Sequence, residues 1–134
     1  MGVVTVFLDK CTNLKDSDGA FNGSDPYVVL DLQKDNWGPM DKKYGKKTSS
    51  VKQGEQNPVY NETFTWEGVD DLKNVKLYVK VMDQDIGLDD KLGKCTIELD
   101  NLGLSEKATG VERVVDNNLI CKDGKIYMQI SYKA

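Results

Sequence analysis

Apolar residues recur along this chain with a period of two. Val75, Leu77, Val79 and Val81 alternate with Lys76, Tyr78 and Lys80. Ile126, Met128, Ile130 and Tyr132 alternate with Tyr127, Gln129 and Ser131. Successive side chains of a strand point to opposite faces, so each segment reads as a strand buried on one side and wetted on the other. Weaker alternation covers 3–9, 26–33, 46–52, 60–67, 93–99 and 111–116. About eight short strands separated by turn residues predict an all-β chain folded as a two-sheet sandwich. One helical turn is predicted around Asp100 to Lys107.

The 134 residues fit one domain, 1–134. A hydrophobic share of 39% fills one modest core, and a net charge of −4 leaves nothing to attract a polyanion unless a local basic patch or a bound cation supplies it. Nucleic acid is therefore not an expected partner. The absence of histidine removes the commonest general base and metal ligand, which argues against an enzyme. Cys11, Cys95 and Cys121 are far apart and read as small buried hydrophobes in a reducing, cytoplasmic setting. Neither a signal peptide nor a membrane-spanning run is expected.

Two loops concentrate carboxylates. Residues 16–25 carry Asp16, Asp18 and Asp25; residues 83–90 carry Asp83, Asp85, Asp89 and Asp90. If folding brings these loops together, the mutual repulsion calls for a cation or for raised pKa values. Hard oxygens without imidazole or thiolate suit calcium or magnesium, and mobile loops rich in carboxylates favour calcium. An EF-hand is excluded. It needs Gly and Glu at its sixth and twelfth positions; counted from Asp16 these are Phe21 and Tyr27, and from Asp83 Leu88 and Lys94. Asp83-Gln-Asp85 also matches the Asp-x-Asp of metal-dependent glycosyltransferases, but the strand pattern lacks the βαβ units those enzymes use. The plain alternative is that both loops are solvated turns.

Three segments resemble the C2 domain family. Asn13-Leu14, an acidic loop and Ser24-Asp-Pro-Tyr-Val28 resemble its first calcium loop and the strand after it. Asn57-Pro-Val-Tyr-Asn-Glu-Thr-Phe64 resembles its Asn-Pro-x-aromatic-Asn-Glu-x-Phe segment. Val81-Met-Asp-Gln-Asp85 and Asp89-Asp-Lys-Leu-Gly93 resemble its third calcium loop. The resemblance implies an eight-stranded antiparallel Greek-key β-sandwich with its calcium loops at one end. The terminal strand Gly124–Tyr132 implies the phospholipase-like, type II permutation.

Carried over residue by residue, the resemblance implies Asp18, Asp25, Asp83, Asp85 and Asp90 as ligands of a pair of calcium ions, with the Gln84 carbonyl beside them. The first loop is one residue longer than the family's, which leaves Asp16 as an alternative to Asp18. The third is one residue shorter, which leaves Asp89 as an alternative to Asp90. Phe21, Ile86 and Leu88 lie between the ligands and are expected as membrane-inserting tips. Of the family's second lipid headgroup site, Tyr27 and Lys47 match, whereas Ser49 and Met82 do not.

The function so implied is calcium-dependent binding of a monomer to anionic, phosphatidylserine-like membranes, with recruitment from the cytoplasm to the plasma membrane or other membranes when calcium rises in signalling. The alternative is a calcium-independent protein-interaction module of the same fold.

Overall fold

In β5 (Val75–Asp83) the alternation of the sequence becomes an alternation of burial: Val75, Leu77, Val79 and Val81 face the core while Lys80 faces solvent. Strand β8 (Lys125–Lys133) behaves alike, burying Ile126, Met128 and Ile130. A computed structural model describes residues 2–15, 20–36, 41–115 and 124–134. Besides β5 and β8, they form β1 (Val3–Thr12), β2 (Pro26–Lys34), β3 (Lys42–Thr48), β4 (Val59–Glu67), β6 (Asp90–Glu98) and β7 (Thr109–Val114).

The strands make two four-stranded sheets, ordered β4-β1-β8-β7 and β3-β2-β5-β6, with every pairing antiparallel. This is the expected eight-stranded sandwich. The last strand lies inside its sheet, between β1 and β7, as the type II permutation requires. Val4, Val6 and Leu8 of one sheet and Leu30, Leu32 and Val79 of the other belong to a single buried cluster. At about 25 cal/mol per Å² of apolar surface, burial of this cluster is the main force holding the sheets together.

Two edges hold β3 and β6 against the other sheet. The indole N–H of Trp66 in β4 donates to the Gly45 carbonyl in β3 at 2.9 Å. Gly93 in β6 comes so near to Val115 that a Cβ there would stand 2.5 Å from the valine Cγ1, so the chain admits only glycine at this crossing.

Two elements depart from expectation. Strand β3 covers Lys42–Thr48 rather than 46–52. It is an edge strand whose side chains are almost all exposed, so it carries no apolar period to read. Pairing with β2 does continue past it, through Ser49 N–H to the Val28 carbonyl at 2.8 Å and Lys52 N–H to the Pro26 carbonyl at 3.0 Å. However, the buried Ser49 hydroxyl takes the Val28 N–H and interrupts the ladder. The helical turn is a single 3-10 turn, Leu99–Asn101, shorter than the stretch expected.

Cys11 is buried and Cys95 half-buried, both as free thiols. Burial raises both pKa values, that of Cys95 to about 11, which keeps them protonated and inert. Cys121 lies outside the described residues.

Candidate metal centre

Strand pairing builds the acidic rim. Pro26 at the start of β2 stands opposite Asp83 at the end of β5. Asp25 and Gln84 are therefore neighbours just beyond the ladder, and the Gln84 N–H donates to the Asp25 carbonyl at 3.0 Å. On the other side of β5, Asp83 stands opposite Asp90, the first residue of β6. A third loop, between β3 and β4, closes the rim: Gly54 N–H donates to Asp25 Oδ1 at 2.9 Å. The same loop reaches the chain that enters the first acidic loop, through Asn13 N–H to Asn57 Oδ1 at 2.7 Å and Leu14 N–H to the Gln56 carbonyl at 3.1 Å.

An open concavity of about 530 Å³ results, lined by Asp25, Gln84, Asp85, Ile86 and Asp89. The carboxylates of this rim are held by backbone N–H groups. Asp25 N–H donates to Asp83 Oδ1 at 2.8 Å, Ile86 N–H to Asp85 Oδ1 at 2.7 Å and Asp85 N–H to Asp89 Oδ1 at 3.0 Å. The last of these closes the turn 85–89 on itself. Asp89 also accepts from the Tyr27 hydroxyl, chiefly through which its carboxyl is held below the usual range. The same bond, aided by burial, pushes the Tyr27 phenol up to about 12.

Among the described residues, no three carboxylate or thiol groups stand close enough to hold a metal ion as they are oriented here. In kind, however, the donors fit one: four aspartates and a backbone carbonyl offer only hard oxygens, and the carboxylates have lone pairs left after one N–H bond each. Asp25, Gln84, Asp85 and Asp89 face one space. Asp83 turns its carboxylate to the Asp25 N–H. Asp90 is exposed and stands opposite Asp83, which puts their two side chains on one face of the sheet, while Asp89 lines the concavity. Asp16 and Asp18 lie outside the described residues.

The apolar loop residues divide. Ile86 and Leu88 are 104% and 87% exposed, the most exposed large hydrophobic side chains among the described residues. Phe21 does not stand out as a tip: it is half-buried and packs against the core cluster, and its carbonyl accepts from the Ser24 hydroxyl at 3.0 Å.

Tyr27 and Lys47 do not converge. The Tyr27 hydroxyl is committed to Asp89, while the Lys47 ammonium lies 5.9 Å from the centre of the Trp66 ring. Lys42 and Lys52 likewise lie over the rings of Tyr44 and Tyr60, at 5.3 and 5.9 Å. This basic edge reads as an ordinary solvated strand whose lysines guard it against pairing with another sheet.

Sequence reasoning missed the bond from Tyr27 to Asp89. No spacing signals it, because the partners are 62 residues apart. The clamp of Gly54 on Asp25 was missed for the same reason.

The profile of the C2 domain family matches residues 2–114. Synaptotagmin-1 of Caenorhabditis elegans is 35% identical over 105 residues, 76% of this chain and 22% of that protein, so the chain spans about a fifth of that relative's length. Among solved structures, a C2 domain of a plant extended synaptotagmin 1 superposes with a TM-score of 0.80 and 25% identity, covering 98% of this chain and 94% of the other. The calcium-bound pair of C2 domains from extended synaptotagmin 2 gives 0.69 and 21%, over 98% of this chain and 45% of that one. Among the described residues, no helix is long and apolar enough to cross a membrane.

Proposed function

Because this chain belongs to the C2 domain family, we propose that it is a calcium-dependent module that docks on membranes rich in anionic phospholipid. One observation carries the reading: the turn that presents Asp85 and Asp89 to the concavity also presents Ile86 and Leu88, fully to solvent. A cation site and an apolar tip thus share one short loop, and a membrane offers phosphate oxygens beside hydrocarbon at matching depth.

The chain's own residues supply the working parts. Without a cation, Asp25, Asp83, Asp85 and Asp89 give this end a negative field that repels an anionic surface. The ligands would be the carboxylates of Asp25, Asp83, Asp85 and Asp90 or Asp89 and the Gln84 carbonyl, with Asp18 or Asp16 from the first loop. Bound there, calcium supplies positive charge and coordination positions open to headgroup oxygens such as those of phosphatidylserine. Ile86 and Leu88 then enter the interface, each contributing up to about 1.5–3 kcal/mol on full burial. The sandwich need not refold, since the loops stand on paired strands, so the switch is electrostatic. The chain would act as a monomer without catalysis, moving between cytoplasm and membrane as calcium changes.

Co-sedimentation with phosphatidylserine-containing vesicles, with calcium and with chelator, tests this. Binding that needs calcium and falls when phosphatidylcholine replaces the anionic lipid is the expected result. Binding indifferent to calcium would sink the proposal in favour of a calcium-independent interaction module.

A further inference from the structure

The loop between β3 and β4 holds the first acidic loop at both ends. At the entry, Asn57 Oδ1 accepts from the Asn13 N–H at 2.7 Å and the Gln56 carbonyl from the Leu14 N–H at 3.1 Å. At the exit, the Lys52 N–H donates to the Pro26 carbonyl at 3.0 Å, and the Tyr60 hydroxyl, from β4, donates to the same carbonyl at 2.8 Å. Asp25, the last residue before β2, is gripped three times. Its N–H donates to Asp83, its carbonyl accepts from the Gln84 N–H, and its Oδ1 accepts from the Gly54 N–H at 2.9 Å. The first two bonds fix its backbone, and the third holds the direction of its carboxylate. Gly54 has φ +62, in the left-handed region, and a Cβ built there would meet open space. Glycine is therefore called for by backbone conformation and not by packing. In that conformation an exposed turn presents its N–H to Asp25.

We propose, resting on the cation-binding reading above, that Gly54 is a positioning residue for the cation site: by holding Oδ1 it sets the direction of the Asp25 carboxylate, so that a loop outside the ligand set orders the first acidic loop for calcium. A carboxylate that accepts one N–H keeps lone pairs on both oxygens for a cation. The bond also removes side-chain freedom that calcium would otherwise have to freeze on binding. Partners of this kind orient metal ligands, and removing them costs about 10–100-fold in metal affinity.

Isothermal titration with calcium chloride of the parent and two variants tests the assignment. In one variant an ester replaces the Gln53–Gly54 amide, introduced as glycolic acid at position 54 during in-vitro translation; it deletes the N–H and adds no side chain. The other is Gly54→Asn, which keeps the N–H on a residue that tolerates the left-handed region. The ester should weaken calcium binding about tenfold, and Gly54→Asn should bind as the parent does. A merely structural role for Gly54 would lower the Tm of the ester protein and leave its calcium affinity unchanged, and that result would overturn the proposal. So would a loss in Gly54→Asn equal to that of the ester. Independently of both variants, the Gly54 amide proton, held downfield by the carboxylate, should move upfield in calcium-free Asp25→Ala; an unmoved resonance would likewise overturn the proposal. A parent that takes up no calcium would overturn it together with the cation-binding reading.

Discussion

The backbone N–H of Asp25 donates to the carboxylate of Asp83 at 2.8 Å, across a separation of 58 residues. Two aspartates that would repel each other are thereby joined, the peptide group of one serving the charge of the other. The carboxylates of the rim are satisfied one by one by local dipoles.

Calcium should therefore stabilise the protein rather than create its fold. Ligand at about 100 times its dissociation constant adds about 2.7 kcal/mol. We expect a thermal scan at millimolar calcium to raise the Tm by several degrees, with magnesium doing less because it demands a tighter octahedron. Asp25→Asn and Asp85→Asn should abolish most of the rise. An identical Tm with calcium and with chelator would contradict this.

Ile86 and Leu88 should govern membrane affinity without touching the cation. Even half burial of the pair corresponds to about a tenfold change in affinity. Ile86→Ala with Leu88→Ala should thus release the protein from calcium-loaded vesicles while calorimetry with calcium alone is unchanged. Phe21→Ala should do the reverse: it removes packing against the core, lowering the denaturation midpoint and leaving vesicle binding per folded molecule intact. Vesicle binding of the double variant equal to the parent's would mean docking by charge alone, which added salt would then weaken steeply.

Trp66 pins one sheet edge to the other through its bond to Gly45 and is 2% exposed. Trp66→Phe keeps a ring in the core but gives up the bond to exposed Gly45, at a cost of about 0.5–1.5 kcal/mol. Urea titration should show a lower midpoint, with calcium affinity unchanged because the acidic rim does not use this contact. A parent-like midpoint would show that water or a shifted β3 serves Gly45 equally well.

Tyr78 donates its hydroxyl to the Asp35 carboxylate, and chiefly this bond pushes the phenol up from 10.0 to about 12. A folded-state pKa above the unfolded one means the protonated form is favoured by folding. The resulting stability is complete below about pH 10 and is lost as pH rises toward 12. Tyrosinate absorbance should show a late step to which Tyr78 and Tyr27 both contribute, and Tyr78→Phe should reduce that step and lessen the loss of stability between those limits. A parent and variant with the same alkaline profile would refute the assignment.

The strands that bury one face were legible before any coordinates, because β5 and β8 have an inside and an outside written at alternate positions. So were the chain positions of the carboxylates, and their hard-oxygen chemistry, since both are properties of residues in order. Strand β3 was displaced by several residues in the sequence reading because an exposed edge imposes no apolar period. Three matters only the tertiary structure decided. Phe21 packs, half-buried, against the core cluster, and the Ser24 hydroxyl donates to its carbonyl. Asp90 falls on the same face as Asp83, and Asp89 on that of Tyr27, because the pairing of Asp90 with Asp83 sets which side of the strand each one occupies. Tyr27 met Asp89 because the two sit on segments that become neighbours only when β2 and β5 pair. A pattern along the chain records which face a side chain must avoid; which partner it finds there depends on distances between segments, and those exist only after the sheets have closed.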